Sequence, residues 1–163
     1  MLNLKALSDE ELLQSLKSLS RYERKHLVLT LKHLAEMDRR NLARRSRYPS
    51  LFEYCHRELL YGEGEAAKKI KAARASAKYP KLYRVLERGL LSLTAVAMLE
   101  PHLTRQNRRP LVRAAIGKRT RELEAMLAKF KPTPEPRERI RFLGIEAAPS
   151  TPSNLPTSPL TPR

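Results

Sequence analysis

Apolar residues recur at every third or fourth position along most of the chain, and no segment alternates with a period of two. The pattern predicts helices throughout and no sheet. Ser8-Asp9-Glu10-Glu11 has the form of a capping box, in which a hydroxyl serves orphan N–H groups and a glutamate reaches back. Leu12, Leu13, Leu16 and Leu19 follow on one helical face. Ser20-Arg21-Tyr22-Glu23 repeats the capping pattern, so a second, longer helix is expected to about Arg45. Its apolar positions are Leu27, Leu31, Leu34 and Met37, and MDRRNLARRS ends it in a basic turn.

Ser50 is a good N-cap for a third segment, where Leu51, Cys55 and Leu59 recur every fourth residue. Tyr61-Gly62-Glu63-Gly64 breaks that pattern. The next helix places Ala66, Ile70, Ala73 and Ala77 on one face and stops at Pro80. Further helices are expected from Lys81 to Arg88, closed by Gly89, and from Ser92 to Glu100, ended by Pro101. The last two run from Thr104 to about Ile116, with Gly117 behind, and from Thr120 to Lys131. The expectation is an all-α, compact multi-helix domain over residues 4–131 that contains a helix-turn-helix-like unit. Eight of the twelve prolines lie from Pro132 onward, so residues 132–163 read as a flexible Pro/Ser/Thr-rich tail.

Composition adds a partner to this picture. The 163 residues carry 33 Lys and Arg against 17 Asp and Glu, a formal charge of +16. Such an excess repels itself unless something acidic lies near, and nucleic acid is the commonest such partner. The single cysteine, Cys55, excludes an internal disulfide framework. The acidic opening segment argues against a signal peptide, and no apolar run approaches a membrane span. A cytoplasmic protein without a membrane partner is expected.

The candidate chemistry sits after the glycine pair. At 100° per residue, Lys68, Lys71 and Lys78 fall opposite the Ala66/Ile70/Ala73 face, with Arg74 at the flank and Lys69 in the same basic run. A helix-turn-helix needs this arrangement: its second helix buries one face and presents the other to a duplex. A solvated bundle face gives the same pattern, and periodicity alone weighs the two about evenly. The global charge favours the first. Arg44, Arg45 and Arg47, and the cluster Arg105, Arg108 and Arg109, are further candidates for phosphate contact. Cys55-His56, and His26 with His33, lack the partners of a metal site, and His102 reads as a loop residue. No Gly-rich phosphate loop or nucleophile elbow is present, so no catalytic residue, metal or cofactor is expected.

SLFEYCHREL, then Tyr61, Glu63, Gly64, Ala66 and KKIKAAR, resembles the helical N-terminal region of a group of bacterial HNH endonuclease proteins. LAEMDRR at Leu34 to Arg40, Pro80, GLLSLTAVAMLEPHLT from Gly89, Gly117-Lys118 and the ERIR of Glu138 to Arg141 match further pieces in order. The resemblance spans about residues 20–141. The same segment order is distantly similar to the helix-turn-helix domain of ParB-type partition proteins. Three positions depart from the family: its turn glycine is Leu60 here, its cap serine is Gly62, and a tyrosine is Ala67. A glycine one position away from the turn, at 62, would restore the left-handed residue. The family's HNH nuclease domain is not matched. The resemblance therefore implies a duplex-DNA-binding targeting module without a catalytic site of its own. The alternatives are a protein-interaction module, or a split nuclease subunit whose protein partner supplies catalysis.

Overall fold

The chain, seen here in a computed structural model, is described over residues 4–129. The expected tail at 132–163, the last turn to Lys131 and the ERIR segment lie outside the described residues. Within them the fold is all-α. A 3-10 turn at Leu4–Ala6 leads into α1, Asp9–Arg39, followed by α2, Leu42–Arg45, and α3, Leu51–Arg57. Then come α4, Glu63–Lys78, α5, Lys81–Glu87, and α6, Leu93–Leu99. A 3-10 turn at Glu100–His102 precedes α7, Arg108–Ala115, and α8, Thr120–Lys129.

Three starts follow from their caps. Ser8 and Glu11 form the full reciprocal box, Ser50 accepts from the Glu53 N–H, and Ser92 accepts from the Ala95 N–H. Two expected boundaries do not exist. Ser20 does not open a helix; α1 runs through it as one 31-residue rod, and the Ser20 hydroxyl takes the Arg24 guanidinium at 2.7 Å. With no Gly or Pro between Ser8 and Arg39, a helix once nucleated has no reason to stop. It ends at Arg40, earlier than expected, because Asn41 turns left-handed at φ 56°. Thr104 likewise caps a turn, not a helix: it exchanges 2.8 and 3.1 Å bonds with Asn107, and α7 begins only at Arg108.

α4 is the central helix. It packs against α1, α3, α5 and α6. Its buried residues are Ala66, Ile70, Ala72, Ala73, Ala75 and Ser76, five of them small enough to let neighbouring axes approach closely. Ala77, expected on that face, is exposed at the helix end. Around this slab Leu31, Leu34, Leu82, Leu86, Leu99 and Leu123 fill the core. Each contributes roughly 1.5–3 kcal/mol of burial. Leu12, Leu13, Leu16 and Leu19 do share a side of α1, but they lie exposed beyond the core.

The turn between α3 and α4 does not place its left-handed residue at Gly62, contrary to expectation. Leu60 itself adopts the left-handed region at φ 55°, with its side chain 83% exposed. Gly62 has φ −59° and stands as the N-cap of α4 in extended backbone. The left-handed residue of this turn is thus a leucine, at the cost of backbone strain. Leu60→Gly should remove that strain while losing little burial. After allowing for the freer unfolded glycine, the expected net gain is up to ~1 kcal/mol. Denaturant unfolding checks it; a loss of stability would mean that the leucine contributes through packing.

Candidate nucleic-acid interface

Because α4 is covered by four helices, its exposed surface is narrow. Of its long side chains beyond the first turn, Lys68, Lys71, Arg74 and Lys78 are exposed and Ile70 is buried. These four lie three or four residues apart, along one stripe. Lys68 and Lys71 make no ion pair among the described residues. The two other cations of the basic run are engaged. Lys69 is only 13% exposed in its side chain, pairs with Glu65 at 2.6 Å, and sits 3.5 Å above the Tyr61 ring centroid. Arg74 grips Asp38 of α1 with two bonds of 2.7 and 3.0 Å. Lys69 therefore fastens the turn to α4, and Arg74 fastens α4 to α1.

The start of α4 is acidic, with Glu63 and Glu65 in its first turn. There they suit the helix dipole. They also make that end of the helix acidic, so the basic stripe begins one turn in, at Lys68.

At the other end, α4 meets the second predicted cluster. Tyr79 is 7% exposed and donates its hydroxyl to the Leu103 carbonyl at 3.3 Å. Lys78 Nζ lies 5.5 Å and the Arg108 guanidinium 5.6 Å from its ring centroid. Lys78, Arg105, Arg108 and Arg109 line one groove of about 530 Å³, together with Lys81 and Arg113. Its floor is apolar, built from Leu82, Val85, Leu103, Val112 and Ile116. Periodicity gave Lys78 and the arginine cluster separately. What joins them is Tyr79, which no sequence signal marked.

Arg44 and Arg45 lie on α2, which packs on α1 and α3, and Arg47 follows in a left-handed turn at φ 65°. None of the three is ion-paired among the described residues. The acids nearby are already held: Arg39 and Arg40 clamp Glu36, and their hydrogen bonds pull its carboxyl down to about 2. Cys55 is fully buried, and burial pushes its thiol up from its ordinary value. His56 Nδ1 lies 2.9 Å from the Tyr61 carbonyl and His33 Nδ1 2.8 Å from the Leu29 carbonyl. Among the described residues no group of three or more His, Cys, Asp or Glu could hold a metal ion, and no helix is long and apolar enough to cross a membrane. No family model, curated protein or solved structure matches the chain.

The Asp38–Arg74 contact makes a pH prediction. The Arg74 guanidinium holds the Asp38 carboxyl below its ordinary value. A depressed carboxyl contributes stability that is present above its unfolded pKa and is lost as pH falls through the folded one. Both partners are partly solvated, at 55% and 33% side-chain exposure, so solvent screens the pair. Asp38→Asn should cost about 0.5–1 kcal/mol at neutral pH. It should also flatten the acid limb of stability against pH. An unchanged acid limb in denaturant titrations would show that other carboxyls govern it.

Proposed function

We propose that this helical domain binds duplex DNA through the exposed stripe of α4. The observation that carries this reading is that the central helix leaves one stripe uncovered, and its long side chains there are all cations. Lys68, Lys71 and Lys78 stand along nearly three turns of that stripe. Lysines so placed neutralise phosphates and release counterions, which supplies affinity with little sequence information. The α3–turn–α4 unit, with its second helix exposed on one side, has the order of a helix-turn-helix. The net charge of +16 supports a polyanionic ligand. Arg105, Arg108 and Arg109 extend the basic surface from Lys78, while Arg44, Arg45 and Arg47 form a separate basic segment at α2. Lys69 and Arg74 serve the fold first. The resemblance to the targeting region of HNH endonucleases supports the same reading, with catalysis supplied by a protein partner if the module serves cleavage.

A second reading draws on the groove beside Tyr79. An apolar floor ringed by six cations suits an acidic amphipathic segment of a protein better than it suits a duplex.

Changing Lys68, Lys71 and Lys78 together to Glu should leave helicity and melting temperature near the parent. It should abolish the electrophoretic shift of a duplex at about 0.1 M salt, since each lost phosphate contact removes nearly one counterion from the salt slope. Ile70→Asp is the opposite control: it places an unpaired charge at a site 7% exposed, so the fold itself should fail. A triple-Glu protein that binds DNA with an unchanged slope would overturn the α4 reading. A wild-type protein that ignores DNA but binds an acidic peptide, with loss on Arg108→Glu, would establish the second.

A further inference from the structure

Among the described residues, the first half of α1 buries no side chain against another element. Of residues 9–23, all are exposed except the half-buried Ser15 and Ser20, and the first buried residue is Val28. Fifteen residues make a rod about 22 Å long. An isolated helix of that length is marginal in water and draws its stability from packing an apolar face. The face exists: Leu12, Leu13, Leu16 and Leu19 are 44–63% exposed, with Tyr22 at 59% on its flank.

Charge says what covers it. From Asp9 to Lys25 the arm holds four acids, Asp9, Glu10, Glu11 and Glu23, against four bases, Lys17, Arg21, Arg24 and Lys25. The arm is neutral in a chain of +16, so it is where two copies can approach without the repulsion of their bodies. The signs are also segregated, with three acids at the free end and three bases, Arg21, Arg24 and Lys25, at the root. A parallel pair would stack like on like. An antiparallel pair sets the acidic tip of each copy beside the basic root of the other. At that root lies a cleft of about 430 Å³, lined by Arg21, Tyr22, Arg24, Lys25 and Arg88 with one acid, Glu87.

We propose that the leucine face of α1, over residues 9–26, is a docking surface for a second copy of this chain, packed antiparallel so that the two acidic tips enter the two basic clefts. In the register that sets Leu16 against Leu19 of the other copy, Leu12 meets Glu23 toward each end of the face. The contact is isologous and closes at two. It is independent of what α4 binds.

Sedimentation or light scattering of the full chain should show a concentration-dependent dimer. Leu16→Glu with Leu19→Glu should make it monomeric, and the melting of the body should not change because both side chains lie outside the core. Arg21→Glu with Lys25→Glu, both in the basic cleft, touches no leucine and should weaken the dimer at least about tenfold through like charges facing the acidic tips. Leu12→Cys protein mixed with Glu23→Cys protein should cross-link with a short bis-maleimide, while neither does so alone; the native Cys55 is buried. A monomer at every concentration, or a dimer that survives the double leucine change, overturns the proposal. So does a charge-reversed protein that dimerises as tightly as the parent, or cross-linking of the Leu12→Cys protein to itself.

Discussion

The constraint on which this fold depends is the burial of α4 among four other helices. A helix buried over most of its circumference must be narrow, and Ala66, Ala72, Ala73, Ala75 and Ser76 keep it so. A larger residue at any of these positions would force α1 or α6 outward, since interiors pack at crystal-like density with few voids. Leucines are supplied instead by the surrounding helices, as Leu31 and Leu34 from α1, Leu82 and Leu86 from α5, and Leu99 from α6. The division explains where the candidate site falls. Once the neighbours are seated, the surface left to α4 is a single stripe, and lysine occupies it with a stem that covers apolar surface and a head that stays in water.

The acids are spent locally. Glu36 lies between Arg39 and Arg40, Glu53 meets Arg57, Glu65 meets Lys69, and Asp38 meets Arg74. Three of these four acids pair within their own stretch of chain, three or four residues away. Asp38–Arg74 joins two helices. Exposed pairs of this kind add little stability each. Their larger consequence is for the field, because they cancel negative charges near the basic residues and leave Lys68 and Lys71 on α4, and separately Arg44, Arg45 and Arg47 at α2, without a paired acid among the described residues. Unpaired cations of this kind are what electrostatic steering of an anionic ligand, as proposed above, would require.

Much of the fold was legible because its signals are local. A hydroxyl followed by a helical pattern after Pro49 or Gly89 gave the starts of α3 and α6 at Ser50 and Ser92. The same signal misled at Ser20, where no breaker precedes the hydroxyl and the helix simply continues, and at Thr104, where Asn107 completes a turn by bonding back. The leucines of α1 show a different limit. Period locates an apolar face but does not say whether the rest of the chain reaches it. At the candidate site, the lysine stripe was visible from spacing. The Glu65–Lys69 pair could have been read from its i,i+4 spacing, which would have marked Lys69 as engaged. The Asp38–Arg74 bridge could not, because 36 residues separate the partners and only the packing of α1 on α4 brings them together. Leu60 was the reverse case: its position in the turn was clear, yet the left-handed residue is Leu60 itself and not Gly62.

The arm and the stripe answer opposite electrostatic problems. A chain of +16 that binds a polyanion needs its cations unpaired, and unpaired cations keep two copies apart. Placing self-association on a neutral rod that stands off the body separates the two demands. The rod reaches beyond the first buried residue, Val28, so contact between copies need not compress the basic surfaces against each other. On the readings proposed above, a two-fold pair would offer one duplex two α4 stripes related by the dimer axis, and the second contact would follow the first at high effective concentration. Affinity would then come from two modest lysine stripes acting together. That fits a stripe of three to four cations better than a single tight site does, because phosphate contacts by lysine are individually weak and carry little sequence information.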